Sequence, residues 1–402
     1  MPHDTSLIAT IAVSLAAAFV GGLIAARMHL PLVVGYLVAG IAVGPFTPGF
    51  VADVNLAPQL AEVGVILLMF GVGTHLSVRD LWAVRAIAVP GAVAQIAVAV
   101  ALGVGVAWSW GWSVGAGLVF GLALSVASTV VLLRVLDARG RLASDDGRIA
   151  VGWLIVEDLV MVLTLVLLPA LAGPLGGQES AGTPTVASGD LWRALGVTLG
   201  KVAAFAALML VVGTRVFPWL LKRVESTGSR ELFTLAVIAL ALGVAFGSAE
   251  LFGVSFALGA FFAGVVINES DLSHRAATDL QPLQDAFAVL FFVAVGMLFD
   301  PATLRTQPLQ VLMVLVIIVV GKSVAAYGIV RALGYPPGTA LTVSGALAQI
   351  GEFSFILAGL GLSLGLLPPD GHNLILAGAL LSITINPLVF HLASRLQPAH
   401  AV

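Results

Sequence analysis

Gly152-Trp153-Leu154-Ile155-Val156-Glu157-Asp158-Leu159-Val160-Met161-Val162 places two adjacent carboxylates in the middle of an apolar run that extends from 149 to 171. As a helix, a run of about 20 apolar residues matches a hydrocarbon thickness of roughly 30 Å. An acid at the centre of such a helix costs about 3 kcal/mol even on the mildest insertion scale, so two in succession need compensation from outside the run. Neighbouring helical side chains point about 100° apart. One carboxylate can therefore face a cation while the other faces a water-filled cavity.

The rest of the chain has the same character. Of 402 residues, 59% are hydrophobic and 10% are charged, whereas an ordinary soluble domain is about 25% charged. A water-facing surface cannot be built from that supply, which excludes a soluble enzyme, and so hydrophobic a chain is not disordered. A net charge of -3 without a basic tail gives no reason to expect nucleic acid as a partner. Cysteine is absent, which removes disulfides, thiolate metal sites and thiol chemistry. Met1-Pro2-His3-Asp4 lacks the basic region of a signal peptide, so the first apolar run is expected to be retained.

Thirteen runs qualify as spans: 6–26, 32–44, 57–74, 88–108, 115–135, 149–171, 191–212, 232–247, 253–267, 283–298, 309–330, 339–364 and 373–393. The second, ninth and tenth are short, and need little tilt or flanking side chains that reach the interface. The longest polar stretch, 172–190, is only loop-sized, so no soluble domain is expected. Short cytoplasmic loops retain Lys and Arg. With the N-terminus outside, 14 of the 18 basic residues fall on cytoplasmic segments, Arg193 and Arg305 stay outside, and Lys201 and Lys322 lie within spans. An odd span count puts the C-terminus in the cytoplasm.

The two halves of the chain repeat. Shifting by 224 sets Gly35, Ala39 and Gly40 on Gly259, Ala263 and Gly264; shifting by 223 sets Leu60, Glu62, Leu67, Val72, Gly73 and Leu81 on Leu283, Asp285, Leu290, Val295, Gly296 and Leu304. Spans one to six then map onto eight to thirteen, and an odd separation of seven spans inverts the second copy. The expected organisation is a first repeat with its external loop over 1–189, a linker helix over 190–228 and a second repeat over 229–402. Inverted repeats are an architecture of secondary transporters, with the site near the midplane where interrupted helices meet. The fifth span of each copy fits that role. Gly121, Ser125 and Ser128 in one, followed by Thr129, fall opposite Gly345, Gln349 and Glu352 in the other, where Gly351 precedes the glutamate. An unwound stretch at those positions frees carbonyls and exposes opposed half-helix dipoles.

Lys322, in Gly321-Lys322-Ser323 of span eleven, supplies the cation that the acidic pair needs. A bridge to Glu157 would leave Asp158 free for a transported ion. Lys201 can reach an interface by snorkelling, and Glu62 and Asp285, near helix starts, are expected to line vestibules. Glu250, His3, His75 and His274 fit solvated loops, and no spacing of His with carboxylates suggests a resident metal.

These residues together give the chain its resemblance. Val34-Gly35-Tyr36-Leu37-Val38-Ala39-Gly40 with Gly44-Pro45, Gly64 to Gly73, Ser128-Thr129 before the acidic pair, Lys322, and Gln349-Ile350-Gly351-Glu352-Phe353-Ser354-Phe355 resemble the cation:proton antiporter families, most closely the Kef-type potassium:proton branch. The resemblance covers essentially the whole chain. It implies a sodium/proton antiporter-like fold of thirteen transmembrane helices with two crossed interrupted helices, and a homodimer in which a core bundle slides against a dimerisation bundle. It also implies that Asp158 is the ion-binding aspartate and that Lys322 pairs with the position before it. Two departures stand out. Glu157 occupies a position where Kef-type relatives often have Gln, and the cytoplasmic nucleotide-binding domain usual in Kef-type proteins is not expected here, so either the chain is naturally minimal or a regulatory domain is separate or removed. Gly359, Gly361 and Gly365 lie in a span and form no dinucleotide fingerprint.

The expected function is exchange of a monovalent cation, K+ or Na+, for H+ across a bacterial-type inner membrane. Asp158, Glu157, Ser128 and Thr129 form the cation/proton site, with Lys322, Gln349 and Glu352 in support. The substrates and membrane lipid are then its partners, and no cofactor is called for. A gated cation-efflux channel, a sodium-coupled organic anion symporter and a non-transporting membrane sensor are the competing readings. The central excess of acids over bases favours a cation.

Overall fold

The structure is a computed structural model that describes residues 6–48, 56–75, 78–142, 144–178 and 191–396, without the side chains of 75, 78–81, 191–195 and 198. His3, the side chains of His75, Arg79 and Arg193, and most of the loop expected over 172–190 therefore lie outside the described residues. The regular structure among the described residues is helical, as backbone within hydrocarbon requires when each N–H must be satisfied inside its own segment. In chain order the helices are α1 (Ser6–Arg27), α2 (Leu32–Val43), α3 (Leu56–His75), α4 (Val78–Ser109), α5 (Val114–Ser125), α6 (Thr129–Asp137), α7 (Asp145–Leu171), α8 (Leu191–Leu208) and α9 (Thr214–Glu225). There follow α10 (Arg230–Phe252), α11 (Phe256–Asn268), α12 (Ser273–Met297), α13 (Thr303–Thr306), α14 (Pro308–Val316), α15 (Lys322–Ala332), α16 (Pro337–Ala346), α17 (Glu352–Ser363) and α18 (Pro369–Arg395). A π-helical turn over Met209–Gly213 joins α8 to α9, and another over Ile317–Gly321 joins α14 to α15.

Ten helical segments among the described residues are long and apolar enough to cross a membrane, and α2, α11 and α17 are shorter apolar helices. The chain is thus an all-helical polytopic membrane protein. The expected tenth span differs from what is observed. Instead of a short helix over 283–298, α12 begins at Ser273 and runs for 25 residues. Its polar first turns stay helical because their charges are matched: Arg275 pairs with Glu225 at 3.0 Å and Asp279 with Arg230 at 2.9 Å. Just before α12, Lys222 meets Asp271 at 2.8 Å and holds that carboxyl below its ordinary range. Hydropathy alone marks only the apolar part of such a helix. The seventh span likewise continues past 212, through the π-turn and α9.

The chain divides into two compact units. One comprises Met1–Gly22, Gly35–Leu76 and Pro184–Leu298; the other comprises Leu23–Val34, Ser77–Thr183 and Phe299–Val402. Small residues set the packing of the first unit, as between membrane helices generally. A Cβ on Gly73 of α3 would stand 2.9 Å from the Val265 nitrogen of α11, and one on Gly264 would stand 2.9 Å from the Thr74 nitrogen. In the second unit α4 packs on α5 in the same way, with Gly121 against Val100.

Candidate functional site

Two helices of the second unit stop in mid-course. The chain leaves the helical conformation at 126–128 between α5 and α6, and at 347–351 between α16 and α17. Ser128 starts α6 as its cap, its hydroxyl accepting from the Val131 N–H at 3.3 Å. Gly351 precedes α17 in an extended conformation. A Cβ at Gly351 would fall on the Ser128 backbone, so only glycine lets the two breaks come this close. Gln349 clasps them together. Its Oε1 accepts from the Ser128 N–H at 2.9 Å, and its Nε2 donates to the Ser128 carbonyl at 3.2 Å.

Interrupting a helix exposes backbone groups that cost about 1–3 kcal/mol each if buried without a partner. Neighbouring helices supply the partners. Gln95 of α4 donates to the Ser125 carbonyl at 3.1 Å, Asn386 of α18 to the Gly345 carbonyl at 3.0 Å, and Ser323 of α15 to the Ser344 carbonyl at 3.2 Å. The Lys322 ammonium donates to the Gln349 carbonyl at 2.9 Å. The Ala127 N–H donates to Glu157 Oε2, also at 2.9 Å. Sequence reading missed Gln95, Asn386 and Ser323. The signal was present for the two amides: Gln95 is a lone polar side chain inside an apolar run, and Asn386 is the one amide in the run 374–390, which otherwise carries only hydroxyls, Ser382 and Thr384.

The acids gather at the same place. Asp158 accepts from the Thr129 hydroxyl at 3.3 Å, at the start of α6, where the helix dipole favours negative charge. Glu352 opens α17 and lies within reach of Ser128 and Thr129. The charges of Glu352 and Glu157 both act on Asp158. Glu157 and Gln349 are fully buried, Lys322, Glu352 and Ser128 almost so, and Asp158 is 5% exposed. Thr129 is only half-buried. Glu157 Oε1, Asp158 Oδ1 and Glu352 Oε2 are buried and accept no hydrogen bond. The unit therefore assembles three carboxylates, one ammonium, two hydroxyls and unwound backbone around the meeting point of two broken helices.

All seven residues singled out in the sequence come together here: Ser128, Thr129, Glu157, Asp158, Lys322, Gln349 and Glu352. The expected direct bridge from Lys322 to Glu157 is not formed. The carbonyl freed at Gln349 takes the ammonium, the Ala127 N–H takes Glu157, and the two charges act on each other through space. Glu62, Asp285 and Lys201 belong to the other unit and are exposed, as are Glu250 and His274.

Comparison with known proteins adds four findings. The family described as "Sodium/hydrogen exchanger, transmembrane" matches residues 15–394. The sequence is 62% identical over 395 residues to the "Putative cation/proton antiporter YbaL" of Escherichia coli, covering 98% of this chain and 70% of that one. It is 34% identical to "K(+) efflux antiporter 4" of Arabidopsis thaliana, covering 97% of this chain and 64% of that one. Among solved structures it is similar in fold to the sodium proton antiporter MjNhaP1 from Methanocaldococcus jannaschii, with a TM-score of 0.72, 16% identity, and coverage of 97% of this chain and 99% of that one.

Proposed function

This chain belongs to the sodium/hydrogen exchanger family, a family of transporters and not of enzymes, and from that premise we propose that it exchanges a monovalent cation, K+ or Na+, for H+ at Asp158. The observation that supports this most is the open coordination of the site. Asp158 Oδ1, Glu157 Oε1 and Glu352 Oε2 are buried oxygens without donors, and such oxygens are ligands for a cation that has shed part of its water. The Thr129 hydroxyl, the Ser128 cap and the ends of the four half-helices add neutral dipoles around them. A proton on Asp158 removes the charge that holds the cation. Occupancy by one therefore excludes the other, and exchange is obligatory if the empty charged site does not cross. Glu157, Ser128 and Thr129 complete the site on this reading. Lys322 balances the excess negative charge, Gln349 holds the breaks together, and Glu352 sets the field at Asp158.

The same reading extends to the whole chain. It consists of thirteen spans in two inverted repeats, over 1–189 and 229–402, joined by a linker helix over 190–228, and it works by alternating access as a homodimer. The breaks in the fifth span of each copy and the short α2 and α11 support the repeat. The distribution of Lys and Arg supports insertion in a bacterial-type inner membrane with the N-terminus outside.

The test is the chain reconstituted in vesicles with a trapped pH dye, to which K+, Na+ and Li+ are added separately. K+ or Na+ is expected to drive proton movement. Cation flux without proton movement, as a channel would give, or no response to any cation, overturns the reading.

A further inference from the structure

At the end of the second unit where α18 stops, the turn after α6 and the last residues of α18 enclose a cavity of about 270 Å³ lined by Arg139, Arg141, Phe390, Ser394 and Arg395. Three of the five lining residues are arginines and none is acidic. In a chain with 18 basic residues in all, three around one cavity concentrate charge that self-repulsion would otherwise disperse. Their geometry is held in place. Arg139 is fixed against α18 by His391 Nδ1 at 2.6 Å and the Ser394 hydroxyl at 3.4 Å, and neither contact neutralises its charge. Arg141 donates to the Thr342 hydroxyl at 2.7 Å and keeps Asp146 at 3.8 Å. Arg139 and Arg395 are exposed and form no ion pair among the described residues.

We propose that this cavity binds a phosphate group, which Arg139 and Arg395 engage from its open side with Arg141 behind them. Guanidinium groups match phosphate oxygens in pairs and stay charged at every physiological pH. Both flanking segments, Val114–Asp137 and Pro369–Arg395, are candidate spans, so the cavity sits where the apolar zone ends. Basic pockets between helices at that depth suit anionic headgroups. A lipid phosphate or a soluble one would satisfy the same chemistry. The floor of the cavity also touches the interrupted helices: Phe390 packs on Gly345, four residues before Gln349.

The test is independent of transport. The purified full chain is equilibrated with phosphatidylglycerol in phosphatidylcholine vesicles, or with inorganic phosphate alone, and binding is followed by native mass spectrometry and by the melting temperature. At roughly fivefold per basic side chain near a membrane surface, Arg139→Gln with Arg395→Gln is expected to weaken binding of whichever probe is held by about 30-fold. Ser394→Asp, which puts a carboxylate into the cavity and leaves the arginines in place, is expected to weaken it as well. Retention of phosphatidylglycerol unaffected by millimolar phosphate would identify a headgroup site; stabilisation by phosphate alone would identify a soluble ligand. Equal binding of both probes by the unsubstituted chain, the double variant and Ser394→Asp would overturn the proposal.

Discussion

Asp158 and Glu157 are one residue apart and differ in what meets them. Glu157 is engaged by a backbone N–H and lies in the field of Lys322, whereas Asp158 meets a single hydroxyl and lies in the field of two carboxylates; each keeps one oxygen without a donor. Asp158→Asn removes the exchangeable proton at nearly constant volume. It is expected to abolish cation-driven proton movement in a chain that still purifies as a folded species; exchange at the unsubstituted rate would move the site elsewhere. Lys322 poses a different question, because it both donates to a carbonyl and acts on the charge of Glu157. Removing one member of a buried charge cluster costs about 3–5 kcal/mol, so Lys322→Met and Glu157→Gln are each expected to lower the melting temperature. The double variant is expected to regain part of the loss, since the uncompensated charge disappears even though the Gln349 carbonyl stays without its donor. Additive losses in that cycle would mean that Asp158 or Glu352, not Glu157, is the acid that Lys322 balances.

At the scale of elements, the breaks depend on contact as much as on local sequence. The half-helices α6 and α17 each begin beside the other's break, and Gln349 bonds both the N–H and the carbonyl of Ser128. Gly351→Ala pushes a methyl group into the Ser128 backbone. Overpacking of a tight contact costs about 1–3 kcal/mol, and here the strain falls on the groups that set the positions of Thr129 and Glu352. The expected result is a modest fall in melting temperature together with a large loss of exchange rate. Normal exchange in a destabilised Gly351→Ala chain would show that the spacing of the breaks is only structural.

For the whole molecule, competition between proton and cation gives a pH dependence with a fixed sign. Acidification fills the site with protons, so the half-saturating cation concentration is expected to rise, by about tenfold per pH unit once the site is mostly protonated. At higher pH it is expected to fall to a plateau. A maximal rate that changes with pH while half-saturation stays flat would indicate separate sites. Orientation can be tested because the chain has no cysteine, which makes an introduced one a unique label. Leu142→Cys and Thr306→Cys lie at exposed positions in connections that the charge bias assigns to opposite sides. An impermeant thiol reagent outside intact cells is expected to label the second and spare the first; the reverse pattern would invert the topology.

The sequence by itself determined that the chain is helical and membrane-spanning, because hydropathy is a property of each run and needs no partner. It also singled out the seven residues that the fold gathers at the breaks: Glu157, Asp158, Lys322, Gln349 and Glu352 because an ionisable or amide group within an apolar run carries a cost wherever the fold puts it, and Ser128 and Thr129 because they lie in the span that answers to Gln349 and Glu352. Span ends were less legible: α12 gains its first turns from ion pairs made by Arg275 and Asp279 with Glu225 and Arg230, residues some 50 positions away. Only the tertiary structure decided which group meets which. Lys322 bonds a carbonyl and not Glu157, because that carbonyl is freed by a break whose shape depends on Gln349 reaching Ser128, 221 residues earlier. Gln95, Asn386 and Ser323 gained their roles in the same way, as donors to carbonyls that become available only when two helices unwind against each other.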